Sequence, residues 1–198
     1  ETWAVQDGEM KGNVYFKRAG KITENLRIFK SGNTMLYEAT VFFLFFVKSV
    51  LFALERIGVE AIVTDDEEQI QQADKVIFPG VGEASTAMQY LKQRKLDQLI
   101  VQLKQPVLGI CLGMQLMCKF SEENNTPCLG IFDEQVAKFK PGEQQLKIPQ
   151  IGWNNIYDLQ SSLFNGIANN AYCYFVHGYF ASKGIHTIAS ANYGISYS

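Results

Sequence analysis

The sequence is short of charge, of metal-ligand pairs and of long hydrophobic runs. Charged residues make up 19% of 198 positions, the formal net charge is −2, and no cluster of Lys and Arg occurs. That leaves no electrostatic basis for binding nucleic acid or an anionic membrane. The four cysteines, Cys111, Cys118, Cys128 and Cys173, form no C-x-x-C pair and no matched Cys/His set. A zinc site is therefore not expected, and no motif calls for another metal or an organic cofactor. A disulfide framework is not expected either in a chain of this size with 47% apolar residues, which points to a reducing, cytoplasmic compartment. The dense apolar run Val41–Val47 is seven residues long, far below the ~20 that span a bilayer, and it reads as a buried strand. The stretch Glu1–Gly20 is mixed and polar, unlike a signal peptide.

What is present fits one domain with a sizeable core. Val50, Leu51, Ala53, Leu54 and Ile57 recur at helical spacing and Gly58 supplies a stop. Ala61–Val63 is a short strand candidate, and the polar segment Asp65–Ala73 a short helix. Val76-Ile77-Phe78 reads as a buried strand halted by Pro79-Gly80. Apolar positions from Met88 to Leu103 mark one long helix or two broken near Arg94. Pro106–Ile110 is the next strand, and Leu112–Phe120 a helix-like run. Alternating strands and helices predict an α/β fold: a mainly parallel open sheet with helices on both faces. After Phe120 the texture changes. Ser121–Pro127 reads as a polar loop, and Gly130–Lys140, Lys147–Tyr157 and Tyr172–Tyr179 as strands with little helix between, an antiparallel edge to the sheet.

The most informative stretch is Gly109-Ile110-Cys111-Leu112-Gly113-Met114-Gln115. A strand that turns at once into a helix, with a cysteine at the bend and glycines two residues either side, is a nucleophile elbow. Such a bend presents the sulfur at a helix N-terminus, where free N–H groups favour an anion. Phe78-Pro79-Gly80-Val81-Gly82 also follows a strand. Right-handed crossovers place both turns on one sheet edge, where α/β sheets bind ligands. Taken singly, these features have ordinary readings: a lone apolar-segment cysteine is usually core, a glycine pair an ordinary turn, Gln115 a solvated helix residue, and Trp153 a core or interface aromatic. Their coincidence favours function for Cys111, whereas Cys118, Cys128 and Cys173 keep the reading of small buried residues.

The two glycine motifs, followed by Ile148-Pro149-Gln150-Ile151-Gly152-Trp153-Asn154 and Phe175-Val176-His177-Gly178-Tyr179, resemble the class I glutamine amidotransferases. Within them the chain is similar to the glutaminase subunits of imidazole glycerol phosphate synthase. The resemblance covers about Lys48 to Ser198. It implies a flavodoxin-like fold and a glutaminase that hands ammonia to a cyclase subunit with a (β/α)8 barrel, in histidine biosynthesis. It implies Cys111 as nucleophile on the glutamine amide, giving a thioester. Leu112 and Val81 would supply the two backbone N–H donors for the oxyanion. Gly82, Gln115, His177 and Gly178 would contact the glutamine substrate, the last two through the backbone. Trp153 would lie toward the cyclase.

Two departures accompany the resemblance. Residues 1–40 match nothing in the family pattern, so the amidotransferase domain is placed at 41–198. The family's His-Pro-Glu motif, which carries the catalytic base, does not occur, and neither His177 nor His186 stands in for it. The expectation is a C-terminally truncated domain with little turnover as written. A module that only docks on the cyclase, or the glutaminase of another amidotransferase, is the alternative.

Overall fold

The computed structural model describes residues 47–143 and 145–198. The strand reading of Val41–Val47 lies outside them for residues 41–46, and Val47 already belongs to a helix over 47–56. That helix closes as expected at Gly58, which takes a positive φ of 72°. Ala61–Val63 is not a strand: it is irregular and exposed, with Ile62 81% accessible, because no described segment offers it a ladder partner. Glu67–Gln72 is a helix, capped by Asp66, whose carboxylate accepts from the Gln69 N–H.

The parallel heart of the fold is β1 (Val76–Gly80) beside β2 (Val107–Cys111), paired from Val76 opposite Val107 to Gly80 opposite Cys111. β1 runs through Pro79 and Gly80 rather than stopping before them, as an edge position of the proline permits. Two helices, Ala84–Gln93 and Leu96–Gln102, form the crossover. The break at Arg94 is real: Lys95 takes a left-handed φ of 57° and restarts the chain. Ala84, Met88, Leu91, Leu96, Leu99 and Ile100 meet Leu112 and Leu116 in the main core.

The elbow helix is Leu112–Met117, shorter than the apolar run suggests. From Cys118 the chain becomes extended because β3 (Phe120–Ser121) finds partners on both sides, β4 (Thr126–Pro127) antiparallel and β5 (Gln135–Lys138) parallel. The polar segment between β3 and β4 is thus a hairpin with a 3-10 turn at Glu123–Asn125. β6 (Gln150–Asn155) pairs antiparallel with β7 (Tyr172–His177) in unbroken register from Gln150–His177 to Asn155–Tyr172. The chain breaks at Gly178 and resumes as β8 (Tyr179–Ala181), antiparallel to β5. β9 (Ala191–Asn192) and β10 (Ser196–Tyr197) form a last short pair. The C-terminal half is mostly antiparallel, as the sequence predicts, with strands shorter than their apolar runs, but among the described residues these strands form ladders separate from β1–β2 rather than its edge, and β5 runs parallel to β3. Phe139, Phe180, Ala191 and Tyr197 fill a second core beneath this half.

Candidate active site

The elbow is built by backbone packed on backbone. A Cβ at Gly113 would collide with the Phe78 carbonyl oxygen. A Cβ at Gly80 would lie 2.7 Å from the Gly113 nitrogen, and one at Gly109 2.7 Å from the Met114 Cα. Real side chains do not tolerate such approaches, so the three glycines let the elbow helix sit directly on the ends of β1 and β2. Cys111, at the bend, has φ 54° and ψ −118°, a sparsely populated conformation for a residue with a side chain. Cys111 is exposed, so the expected presentation at the bend holds.

Because Gly80 pairs with Cys111, Val81 is the first residue beyond β1, one position past the nucleophile's level. Gly82 follows with φ 101°, which a residue bearing Cβ reaches only with strain. Val81 and Gly82 thus follow one of two paired strand ends and Leu112 the other, all at one sheet edge.

The helix start does ease the thiol toward its anion, as expected, but crowding outweighs it. Protein atoms crowd the sulfur enough for desolvation to push the Cys111 thiol above its ordinary value; the Leu112 N–H pulls it back, and the nearby Glu123 charge pushes it further up. Burial likewise raises Cys118 and Cys128 to about 11, consistent with inert, structural thiols.

Glu123 is the participant that sequence reading misses, since Ser121–Pro127 looks like a solvated loop. Its carboxylate accepts from the Ala84 N–H at 2.8 Å, at the N-terminus of helix Ala84–Gln93. Glu83 caps the same helix through Ser85 and Thr86 and also accepts from the Asn124 amide at 2.8 Å. Burial works to raise Glu83, but these donors outweigh it and hold the carboxyl at about 2. Glu123 moves the other way: burial raises it, the Ala84 N–H opposes, and Glu83 adds repulsion. After burial, the Glu123 charge also raises the phenol of Tyr179, so its field reaches both the nucleophile and β8. The one local signal is the spacing of acids, Glu122-Glu123 just after β3, and it does not reveal the fold-back onto Ala84.

Gln115 and His177 meet at one atom. Gln115 is buried, and its amide nitrogen donates to the Tyr179 carbonyl at 3.2 Å. The same carbonyl lies 2.9 Å from His177 Nδ1. Burial lowers the His177 pKa, partly opposed by that carbonyl. Gly178 joins the two strands that carry these groups. His186 lies in a turn, its main-chain N–H donating to Glu134 and its ring 5.4 Å from that of Phe132. Among the described residues no group of three or more His, Cys, Asp or Glu is arranged to hold a metal ion, and no helix is long and apolar enough to cross a membrane.

A nucleophile elbow on a parallel α/β sheet, flanked by a Pro-Gly-Val-Gly turn, defines a class of acyl-transfer enzyme. The family model for class-I glutamine amidotransferases matches residues 42–197, and the chain belongs to that family. It is 54% identical over 147 residues to a Bacteroides fragilis protein named imidazole glycerol phosphate synthase subunit HisH, covering 74% of this chain and 75% of the relative. A protein of the same name from Haemophilus influenzae is 44% identical over 153 residues, covering 77% and 76%. A solved glutamine amidotransferase structure superposes with a TM-score of 0.57 at 16% identity, over 74% of this chain and 79% of that one, and supports the fold.

Proposed function

We propose that this chain is the glutaminase component of an imidazole glycerol phosphate synthase, cleaving glutamine to glutamate and ammonia for a separate cyclase in cytoplasmic histidine biosynthesis. The observation that carries the reading is the pairing of Gly80 with Cys111, which sets a backbone turn beside an exposed cysteine. In this reading the Cys111 sulfur attacks the side-chain amide carbon of glutamine. The negative oxygen that forms would be met by the N–H groups of Leu112 and Val81. Collapse expels ammonia and leaves a thioester, which water then opens. Glu123 suits the α-ammonium of the substrate, being a half-buried carboxylate near the sulfur. Gly82, Gln115 and the main chain at His177 and Gly178 complete the pocket. The raised thiol requires a proton acceptor during attack; His177 is not assigned to that role, since its Nδ1 is engaged with a carbonyl.

The cyclase would be a (β/α)8 barrel docking on the outer face of β6 and β7. Ile151, Trp153, Tyr172, Tyr174 and Val176 all point outward there and are all more than half exposed. Trp153 and Tyr174 stack edge to face at 5.5 Å. Such aromatic-rich apolar faces are typical of interface centres. The amidotransferase domain occupies residues 41–198.

The test is covalent labelling by a chloroketone analogue of glutamine, in which the thiolate displaces chloride. Saturable labelling at Cys111 alone, blocked by glutamine, is the expected result. Labelling with no saturation, or none at Cys111, would remove the glutaminase reading and leave a module that only docks.

A further inference from the structure

His177 has a more specific place than a strand histidine needs. The Tyr179 carbonyl can only accept, so the contact at 2.9 Å requires the proton on His177 Nδ1. The other ring nitrogen lies 3.2 Å from Gln150 Oε1 and 3.4 Å from the Tyr197 hydroxyl, which itself donates to Gln150 Oε1 at 3.0 Å. The ring is further wedged against Phe139 and Phe175, with centroids 5.1 and 5.4 Å away. Without a proton Nε2 can only accept, and Gln150 Oε1 offers it none, so the ring is held by the Nδ1–H bond to β8 and by its packing against Phe139 and Phe175. The same Tyr179 carbonyl also receives the Gln115 amide from the elbow helix, at 3.2 Å.

We infer that His177 is a positioning residue for the nucleophile, acting through Tyr179: its Nδ1–H and the Gln115 amide both donate to one carbonyl and so fix the elbow helix, and Cys111 at its start, against β8. The inference rests on the glutaminase reading above and adds to it a role that moves no proton. Two features support it beyond the shared atom. The Tyr179 carbonyl belongs to β8, which is laddered to β5 with Lys138 opposite Tyr179, so the imidazole ties that strand to β7 across the break at Gly178. Burial also favours the uncharged ring, so the Nδ1–H, Nε2-acceptor form is the one to be held in place.

The full chain is labelled with the glutamine chloroketone, and the maximal rate is separated from the half-saturating concentration. His177→Phe keeps the ring's bulk and removes the donor. It is expected to lower the maximal rate two- to tenfold, about the worth of one hydrogen bond, with the half-saturating concentration little changed. His177→Asn, whose amide nitrogen reaches roughly the Nδ1 position, is expected to recover at least half of that loss. Gln115→Met removes the other donor to that carbonyl as well as a pocket contact that shifts the half-saturating concentration, so that in maximal rate the double variant with His177→Phe loses less than the product of the two. Equal losses in His177→Phe and His177→Asn would overturn the inference, as would a lowered urea midpoint with an unchanged maximal rate. If His177→Phe does not fold, the donor-less His177→Leu combined with Gln115→Met carries the same coupling test, and strict additivity there overturns it. Failure of the unsubstituted chain to label saturably is a different result: it sinks the glutaminase reading, and this role with it.

Discussion

The elbow and the β6–β7 hairpin solve opposite problems. At the elbow, three glycines let main chain lie on main chain, and the geometry is decided by what is missing from their side chains. On the hairpin, the side chains decide: Gln150, Phe175 and His177 face inward while Ile151, Trp153, Tyr174 and Val176 are left in solvent. The first region tolerates no added atom but is complete in itself. The second tolerates much change on its outer face but carries apolar area that water does not favour. Chemistry is placed where the backbone is over-determined, and association where it is not.

Substitutions can break this contrast in order of size. Cys111→Ala is expected to abolish chloroketone labelling and any ammonia release with the cyclase, a loss beyond about a thousandfold. Gly113→Ala should cost about 1–3 kcal/mol through overpacking, read from the urea midpoint, and should lower labelling with it. Trp153→Ala or Tyr174→Ala should weaken cyclase binding by about 2 kcal/mol in calorimetry, while the chain's own urea midpoint stays put. An equal loss of intrinsic stability would show that the hairpin face is core, not interface. Glu123→Gln removes a charge that raises the thiol, so the pH profile of Cys111 alkylation by iodoacetamide should move to lower pH. The smallest effect concerns Glu83. Its carboxyl is held at about 2 against an ordinary 4.5, so its contribution to stability is full above about pH 4.5 and is lost as pH falls toward 2. Glu83→Gln should lower the urea midpoint at pH 7, flatten its pH dependence over that window, and converge with the parent chain near pH 2.

The same contrast explains what was legible in the sequence. The elbow and the Pro-Gly-Val-Gly turn are local patterns, each written in a handful of consecutive residues, and parallel strands with short turns leave few ways to arrange them. The alternation of β7 is local too: it separates Tyr172, Tyr174 and Val176 from Cys173, Phe175 and His177, and only the fold shows which set faces water. Glu123 could not be named in advance, because its meaning depends on a hairpin folding back onto Ala84. The early end of the elbow helix was hidden for a similar reason: Cys118–Phe120 is apolar enough to continue the helix, and only ladder partners from β4 and β5 draw it into a strand. The Ala61–Val63 reading failed in reverse, with β-favouring residues and no described neighbour to pair with. The thiol's raised pKa came from crowding around the sulfur, which a helix-terminus argument from sequence leaves out.

Cys111 pays a thermodynamic toll for its position. A left-handed φ with ψ near −118° is disfavoured for any residue with Cβ, by about 1–3 kcal/mol, and glycine escapes most of that penalty. Cys111→Gly should therefore melt at a higher temperature than the parent chain, so that the most robust version of this protein is one that can no longer form a bond to its substrate.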